Sequence, residues 1–262
     1  HWQIDPAWVV STPGVVTALA IAVQTFSKPG DKVIIQPPVY PPFFGVIRDG
    51  KRTLVENPLV HDEDGYHIDF EDLAQKAKDA KILILCNPHN PIGRVWSKAD
   101  LQKIAAICQA NDVLILSDEI HSDLVYAGPH TPLATLGEDA AAQTITLVAP
   151  SKTFNTAGLQ ASAIIISNPK LREPFAAAVQ ALHVAKSNVF GITALKAAYQ
   201  HGEPWLDALL PYLASNAALI ADTLAAQTPK IKLHRPEGTY LAWLDCRALG
   251  LAQPELVRFF GE

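Results

Sequence analysis

Six short segments of the chain carry apolar and β-branched residues in near-continuous runs: 32–36 (KVIIQ), 52–56 (RTLVE), 81–86 (KILILC), 113–117 (VLILS), 144–149 (TITLVA) and 161–167 (ASAIIIS). A strand with one wet face alternates, whereas a continuous run is covered on both faces, as in a largely parallel sheet between layers of helix. Between the runs the apolar positions take a helical spacing. In SKADLQKIAAICQAN, Ser97 stands at the N-cap with Asp100 in the capping-box position, and Leu101, Ile104, Ala105 and Cys108 form one face. GVVTALAIAVQTF, over 14–26 and introduced by STP, predicts another helix. The fold class expected is α/β, a mostly parallel sheet flanked by helices, followed by part of a smaller α+β domain.

That second part begins where the pattern changes. After residue 168 alanine-rich helical stretches run to about 227, interrupted by HGEP and by Pro211, which is expected to kink or start a helix. KIKLHRPEGTYLAWLD then reads as a hairpin-like pair of short strands. The expected division is 1–205 for the large domain and 206–262 for the start of the small one. The acidic stretch HDEDGYHID lacks calcium-loop spacing and reads as a solvated turn. The chain has no Met and stops at PELVRFFGE inside a new amphipathic pattern, so a fragment lacking both ends is expected.

Composition narrows the classes of function. The 262 residues are 49% hydrophobic and carry 21 basic against 26 acidic side chains, a net charge of -5, with no Lys/Arg block to attract a nucleic acid. Cys86, Cys108 and Cys246 are odd in number, far apart and mostly set in apolar runs, which reads as buried thiols in a reducing compartment. No signal peptide or membrane-spanning run stands out, so a cytoplasmic protein with no membrane partner is expected.

The chemistry lies in three polar clusters, each directly after a predicted strand: NPHNPIG (87–93), DEIHSD (118–123) and APSKTFN (149–155). Ligands of open α/β sheets bind outside the carboxyl ends of the strands, so the three clusters are expected to converge on one crevice. G-x-G-x-x-G, the P-loop, the G-x-S-x-G elbow, H-E-x-x-H and paired C-x-x-C are all missing, and no metal is expected. What remains is an asparagine, an aspartate and a lysine at strand ends. Lys152 alone could be a solvated loop lysine, but with an acid and an amide beside it the set is the one pyridoxal 5'-phosphate requires: a lysine for the Schiff base and an acid facing the pyridine nitrogen. The helix opening at PGVVTAL offers backbone N–H groups to a phosphate.

TPGVV, QPPVYPPF, NPHNPIG, SDEIHSDLV, APSKTFNTAGLQ and PEGTYLAWLDCR, in this order and spacing, resemble the class I/II aminotransferase family of pyridoxal-phosphate fold type I. Within it the chain is most similar to the cystathionine β-lyase, or carbon–sulfur β-lyase, branch. The resemblance implies that Lys152 bonds the cofactor and shuttles the Cα proton, that Asp118 pairs with the pyridine nitrogen, and that Asn90 donates to the phenolate oxygen. His121 takes the place of a tyrosine that reaches the same oxygen in many aminotransferases. Tyr40 matches the aromatic stacked on the ring, and Gly14, Val15, Val16 and Ser151 match the phosphate site.

Ala149 and Gln160 depart from the family, which usually has a serine or glycine and an arginine there, so the phosphate grip is expected to lean on backbone amides. The resemblance also implies a homodimer, a small amino-acid substrate, and a substrate-carboxylate arginine beyond Glu262, with Arg94 or Arg235 as alternatives. The implied activity is elimination of a thiol from cystathionine or a related cysteine S-conjugate, giving pyruvate and ammonia. An aminotransferase on the same scaffold and a non-catalytic cofactor-binding protein stay open on the sequence.

Overall fold

The computed structural model describes every residue except His1, Asp64, Ser187 and Glu262. In chain order the strands and α-helices are β1 Val9–Thr12, α1 Val15–Phe26, β2 Lys32–Ile35, α2 Pro42–Asp49, β3 Thr53–Glu56, β4 Val60–Asp62, β5 Gly65–His67, α3 Phe70–Ala77, β6 Ala80–Cys86 and α4 Lys98–Ala110. They continue with β7 Leu114–Asp118, α5 Glu138–Ala142, β8 Thr144–Val148, β9 Ser162–Ile165, α6 Pro169–Ala181, α7 Val189–His201, α8 Glu203–Gln227, β10 Lys232–His234, β11 Trp243–Asp245 and α9 Gln253–Gly261.

Seven strands form one sheet in the order β1-β9-β8-β7-β6-β2-β3. β3, β2, β6, β7 and β8 are parallel, and β9 runs antiparallel to both β8 and β1. The continuous hydrophobic runs are explained by the two covers. Successive side chains of a strand point to opposite faces. Val33 and Ile35 of β2 and Ile82 and Ile84 of β6 pack with Leu19 and Val23 of α1, Phe43 and Ile47 of α2 and Phe175 of α6. Ile34, Leu83 and Leu85 face the other way, onto Leu73 of α3 and Leu101, Ile104 and Cys108 of α4. The capping box of α4 is present, with Ser97 Oγ accepting from Asp100 N at 3.1 Å and Asp100 Oδ2 accepting from Ser97 N at 3.3 Å.

Four local features refine or add to the sequence pattern. β1, not predicted, pairs along the sheet edge with β9, Val10 opposite Ile164. HDEDGYHID is not merely a turn: β4 and β5 pair antiparallel, with His61 opposite Tyr66. Pro211 lies inside the continuous helix α8, and so does residue 206, the expected domain boundary. A proline removes one intrahelical donor and crowds the preceding turn, which an exposed helix can absorb by bending toward water. Lastly, α8, with mean hydropathy 1.3, is long and apolar enough to cross a membrane by length and composition alone, which the interrupted runs of the sequence do not suggest. In this fold it lies against α7 and β10. β10 and β11 pair antiparallel, as the hairpin pattern predicts.

Candidate active site

β6, β7 and β8 are neighbours, with Cys86 opposite Asp118 and Asp118 opposite Leu147, so their carboxyl ends deliver the three polar clusters to one place. There a crevice of about 150 Å³ is lined by Tyr40, Asn90, Asp118, His121, Ser151 and Lys152, and by Val15 and Val16 at the start of α1. Gly14 caps α1 behind this wall rather than lining it; its carbonyl accepts from Ala18 N at 3.0 Å. The first amides of a helix have no intrahelical acceptor, so Val15 and Val16 present donors, and the positive end of the helix, to the crevice.

The Asn90 loop is held from both sides. Asn87 N donates to the Asp118 carbonyl at 3.0 Å, extending the β6–β7 ladder, while Asn87 Oδ1 accepts from Trp96 N at 3.0 Å. His89 is fully buried, and its Nε2 lies 2.9 Å from the Pro38 carbonyl, which makes Nε2 the donor. This bond joins the loop of Asn90 to the segment of Tyr40. Burial pulls the His89 pKa down to about 4, so the ring is neutral. Cys86 Sγ accepts from Asn90 N at 3.4 Å.

Asp118 and Glu119 are consecutive, so they leave the strand toward opposite faces. Asp118 enters the crevice wall, 3% exposed, with Oδ1 accepting from Ile120 N at 3.2 Å. Burial, and secondarily Glu119, push its pKa up to about 7, while the Ile120 amide and Lys152 pull the other way. Glu119 instead braces the following loop: Oε1 accepts from Ser117 Oγ at 2.8 Å and Leu133 N at 3.1 Å, and Oε2 pairs with His130 Nε2 at 2.9 Å.

His121 is 2% exposed, and neither ring nitrogen has a hydrogen-bond partner among the described residues. Buried polar atoms rarely go unpaired, so this imidazole, aimed into the crevice and edge-on to Tyr240 at 5.5 Å, is built to meet something that enters it. Burial first, and Lys152 second, lower its pKa to about 4.

The two positions that depart from the family pattern lie in or beside the crevice. Ala149 is buried, and Gln160 lines the crevice with a left-handed φ of 48°. Of the two alternative arginines, Arg94 is engaged elsewhere: Nη1 pairs with Glu237 Oε1 at 2.6 Å, and its guanidinium lies 5.9 Å from the Trp96 ring centroid. Glu237 Oε2 also accepts from Val95 N at 2.8 Å, so the PEG turn is locked onto the Asn90 loop. Arg235 is exposed and does not line the crevice. Among the described residues no cluster of three His, Cys, Asp or Glu could hold a metal ion.

Sequence reasoning passed over His89, Glu119 and the wall residues Cys86, Ile120 and Ala157. The strand-end rule could have flagged Cys86, which precedes NPHNPIG, and Glu119, which lies inside DEIHSD. The bond from His89 to Pro38, across 51 residues, leaves no local trace.

Comparison with known proteins fits this geometry. The profile of the family described as "Aminotransferase class I and II" matches residues 1–258. Cystathionine beta-lyase PatB of Bacillus subtilis is 47% identical over 258 residues, covering 97% of this chain and 67% of that protein. Protein MalY of Escherichia coli is 36% identical, covering 96% and 66%. The structure of cystalysin from Treponema denticola, described as containing a pyridoxal 5'-phosphate cofactor, superposes with a TM-score of 0.96 at 42% identity, covering 98% of this chain and 66% of that one. The chain thus spans about two thirds of the length of these relatives. With one family matched almost from end to end and a crevice at the carboxyl ends of β6, β7 and β8, the chain belongs to the class I and II aminotransferase family.

Proposed function

We propose that this chain carries the cofactor site of a pyridoxal-phosphate-dependent carbon–sulfur β-lyase, acting on cystathionine or related cysteine S-conjugates. The observation that carries the reading is the convergence of Lys152, Asp118, Asn90, His121 and Tyr40 on one crevice beside the N-terminus of α1. The unpartnered nitrogens of His121 and the free helix amides suit the polar edge and the phosphate of this cofactor. Lys152 would hold its aldehyde carbon and Asp118 its pyridine nitrogen, with Asn90 and His121 at the phenolate oxygen, Tyr40 against the ring, and Val15, Val16 and Ser151 at the phosphate.

When bound, the cofactor supplies an electron sink for the pair left when the substrate Cα–H bond breaks. The chain's own residues do the rest. Asp118, brought near pH 7 by burial, regains its negative charge against a cationic partner and keeps the ring nitrogen protonated. The Lys152 amine would accept the Cα proton at Nζ. The Cβ–S bond then breaks with its electron pair on sulfur, and the thiolate takes up a proton. The remaining three-carbon enamine adds water to give pyruvate and ammonia. Exposed Phe190, Tyr212 and Leu219 on α7 and α8 support reading the protein as a homodimer.

Borohydride reduction in the presence of the cofactor, followed by peptide mapping, tests the site: label is expected on Lys152, and label only elsewhere overturns the reading. Pyruvate formation from cystathionine without a keto-acid acceptor tests the reaction; no pyruvate, with the amino group passed to an added keto acid instead, would make it a transaminase.

A further inference from the structure

Thr153, the residue after Lys152, is 1% exposed and has no task in the chemistry above. Its hydroxyl donates to Asp123 Oδ2 at 2.9 Å, and its carbonyl accepts from the indole Nε1 of Trp205 at 3.1 Å. One buried residue thus ties the Lys152 turn to the loop after β7 and to the first turn of α8. The next residue extends the tie. Phe154 meets Tyr199 of α7 edge-on at 5.9 Å, and a Cβ at Gly202, between α7 and α8, would collide with the Phe154 ring.

The turn itself is short. Phe154 N donates to the Pro150 carbonyl at 2.8 Å and Thr156 N to the Ser151 carbonyl at 3.1 Å. Asn155, at φ 53°, stops it from continuing as a helix. A single turn does not fix its own tilt, so the direction in which the Lys152 Cα–Cβ bond points is set by the bonds that leave it. Asp123 is placed for this: it is partly buried and close to His130 and Tyr199, with the Thr153 hydroxyl as its bonded donor.

We infer that Asp123 and Trp205 are positioning residues for Lys152, acting through the two sides of Thr153 to aim the amine into the crevice. The inference rests on the reading of Lys152 as the cofactor-bearing, proton-carrying lysine. A long side chain that must reach two points in turn is sensitive to the angle at which it starts. The same bonds make the seating of α8 a condition for the aim of Lys152.

The test uses the whole chain with Thr153→Val, Thr153→Ser, Asp123→Asn and Trp205→Phe. Without cofactor, an amine-acylating reagent is timed on the Lys152 peptide against exposed Lys98 as internal reference. Removing one hydrogen bond, by Thr153→Val or Trp205→Phe, is expected to change the Lys152 to Lys98 ratio at least about threefold. Thr153→Ser and Asp123→Asn, which keep a donor and an acceptor, are expected to stay near the parent. With pyridoxal 5'-phosphate and cystathionine, the first pair is expected to lower kcat at least about threefold with KM unchanged. A parent-like labelling ratio in both Thr153→Val and Trp205→Phe, or a Thr153→Ser as altered as Thr153→Val, overturns the inference. Should Thr153→Val not fold, Trp205→Phe, altered on a half-exposed ring, decides by the same ratio. If the parent forms no borohydride-stable bond at Lys152, the cofactor reading fails, while the labelling ratio still decides the positioning.

Discussion

β6 and α8 show two ways of being apolar. Six of the seven residues of β6 are buried, against none of the 25 in α8. The strand is hydrophobic because helices cover both its faces, and its carboxyl end can therefore hold Asn87 and His89 fully buried, with Asn87 Oδ1 bonded to Trp96 N and His89 Nε2 to the Pro38 carbonyl. The helix is hydrophobic with Tyr212 and Leu219 facing outward. The chemistry sits where the chain has completed its own packing, and the uncovered apolar surface sits on a helix whose bond to the Lys152 turn is made by Trp205.

The largest break in this comparison is expected from Lys152→Ala. Loss of the amine should lower β-elimination by at least about 10³-fold and abolish the borohydride-stable label, yet leave urea unfolding within about 1 kcal/mol of the parent. A substituted chain that still turns over would detach function from the strand ends.

Next comes packing. Leu83→Ala, in a fully buried position of β6, is expected to cost about 2–5 kcal/mol. Leu219→Ala, 66% exposed on α8, should cost less than about 0.5 kcal/mol. Equal costs in urea titrations of the two variants would show that α8 is buried in solution.

Asp118→Asn separates function from stability at one residue. Removing the charge should slow elimination by about 10- to 150-fold, the equivalent of about 1.5–3 kcal/mol. Stability of the cofactor-free chain should move the other way. A carboxyl raised from 3.8 to about 7 in the folded state contributes stability below pH 4 that is lost as pH rises to 7. The asparagine variant should therefore gain about 1–3 kcal/mol over the parent at pH 7.5 relative to pH 4.5. His89 and His121 carry the opposite sign. With folded pKa values near 4, against 6.5 ordinarily, they contribute stability above pH 6.5 that is lost as pH falls toward 4. The variant's stability should accordingly rise more steeply from pH 4 to 6.5 than the parent's. A parent-like pH profile would mean that Asp118 is hydrated in solution.

The smallest effect expected is that of Ser97→Ala, about 1 kcal/mol from loss of the α4 cap, with no change in elimination rate. A measurable kinetic effect would mean that the far layer of helices transmits strain to the crevice.

How much of this was legible in the sequence depends on the range of the interactions. The six strand runs, the first helix and the Ser97 cap are local patterns, and each stands within a residue or two of its expected position. The convergence of three clusters follows from the strand-end rule applied to neighbouring parallel strands. The existence of β1 does not follow, because an edge pairing between residues 150 apart has no periodicity to read. For the same reason the bonds from His89 to Pro38 and from Thr153 to Asp123 emerge only in three dimensions, although every residue in them lies in or beside a quoted motif. Of the two alternatives for Pro211, starting a helix is ruled out by its place inside α8, while an exposed helix can bend around it.

The edge strand β1 also bears on the order in which the molecule is made. Thr12 Oγ1 and Ser162 Oγ lie 2.7 Å apart, so β1 cannot dock until β9 is in place at the end of nearly the whole sheet sequence. Closing so long a loop is slow relative to the local β2–α2–β3 and β6–α4–β7 steps. The start of α1, three residues beyond Thr12, would then reach its wall of the crevice late. Pulse-labelled hydrogen exchange during refolding should find the amides of β1 protected after those of β6 and β7, and simultaneous protection would refute this order. A folding chain would thus acquire the helix-amide end of its pocket last, so that ligand capture reports a finished sheet.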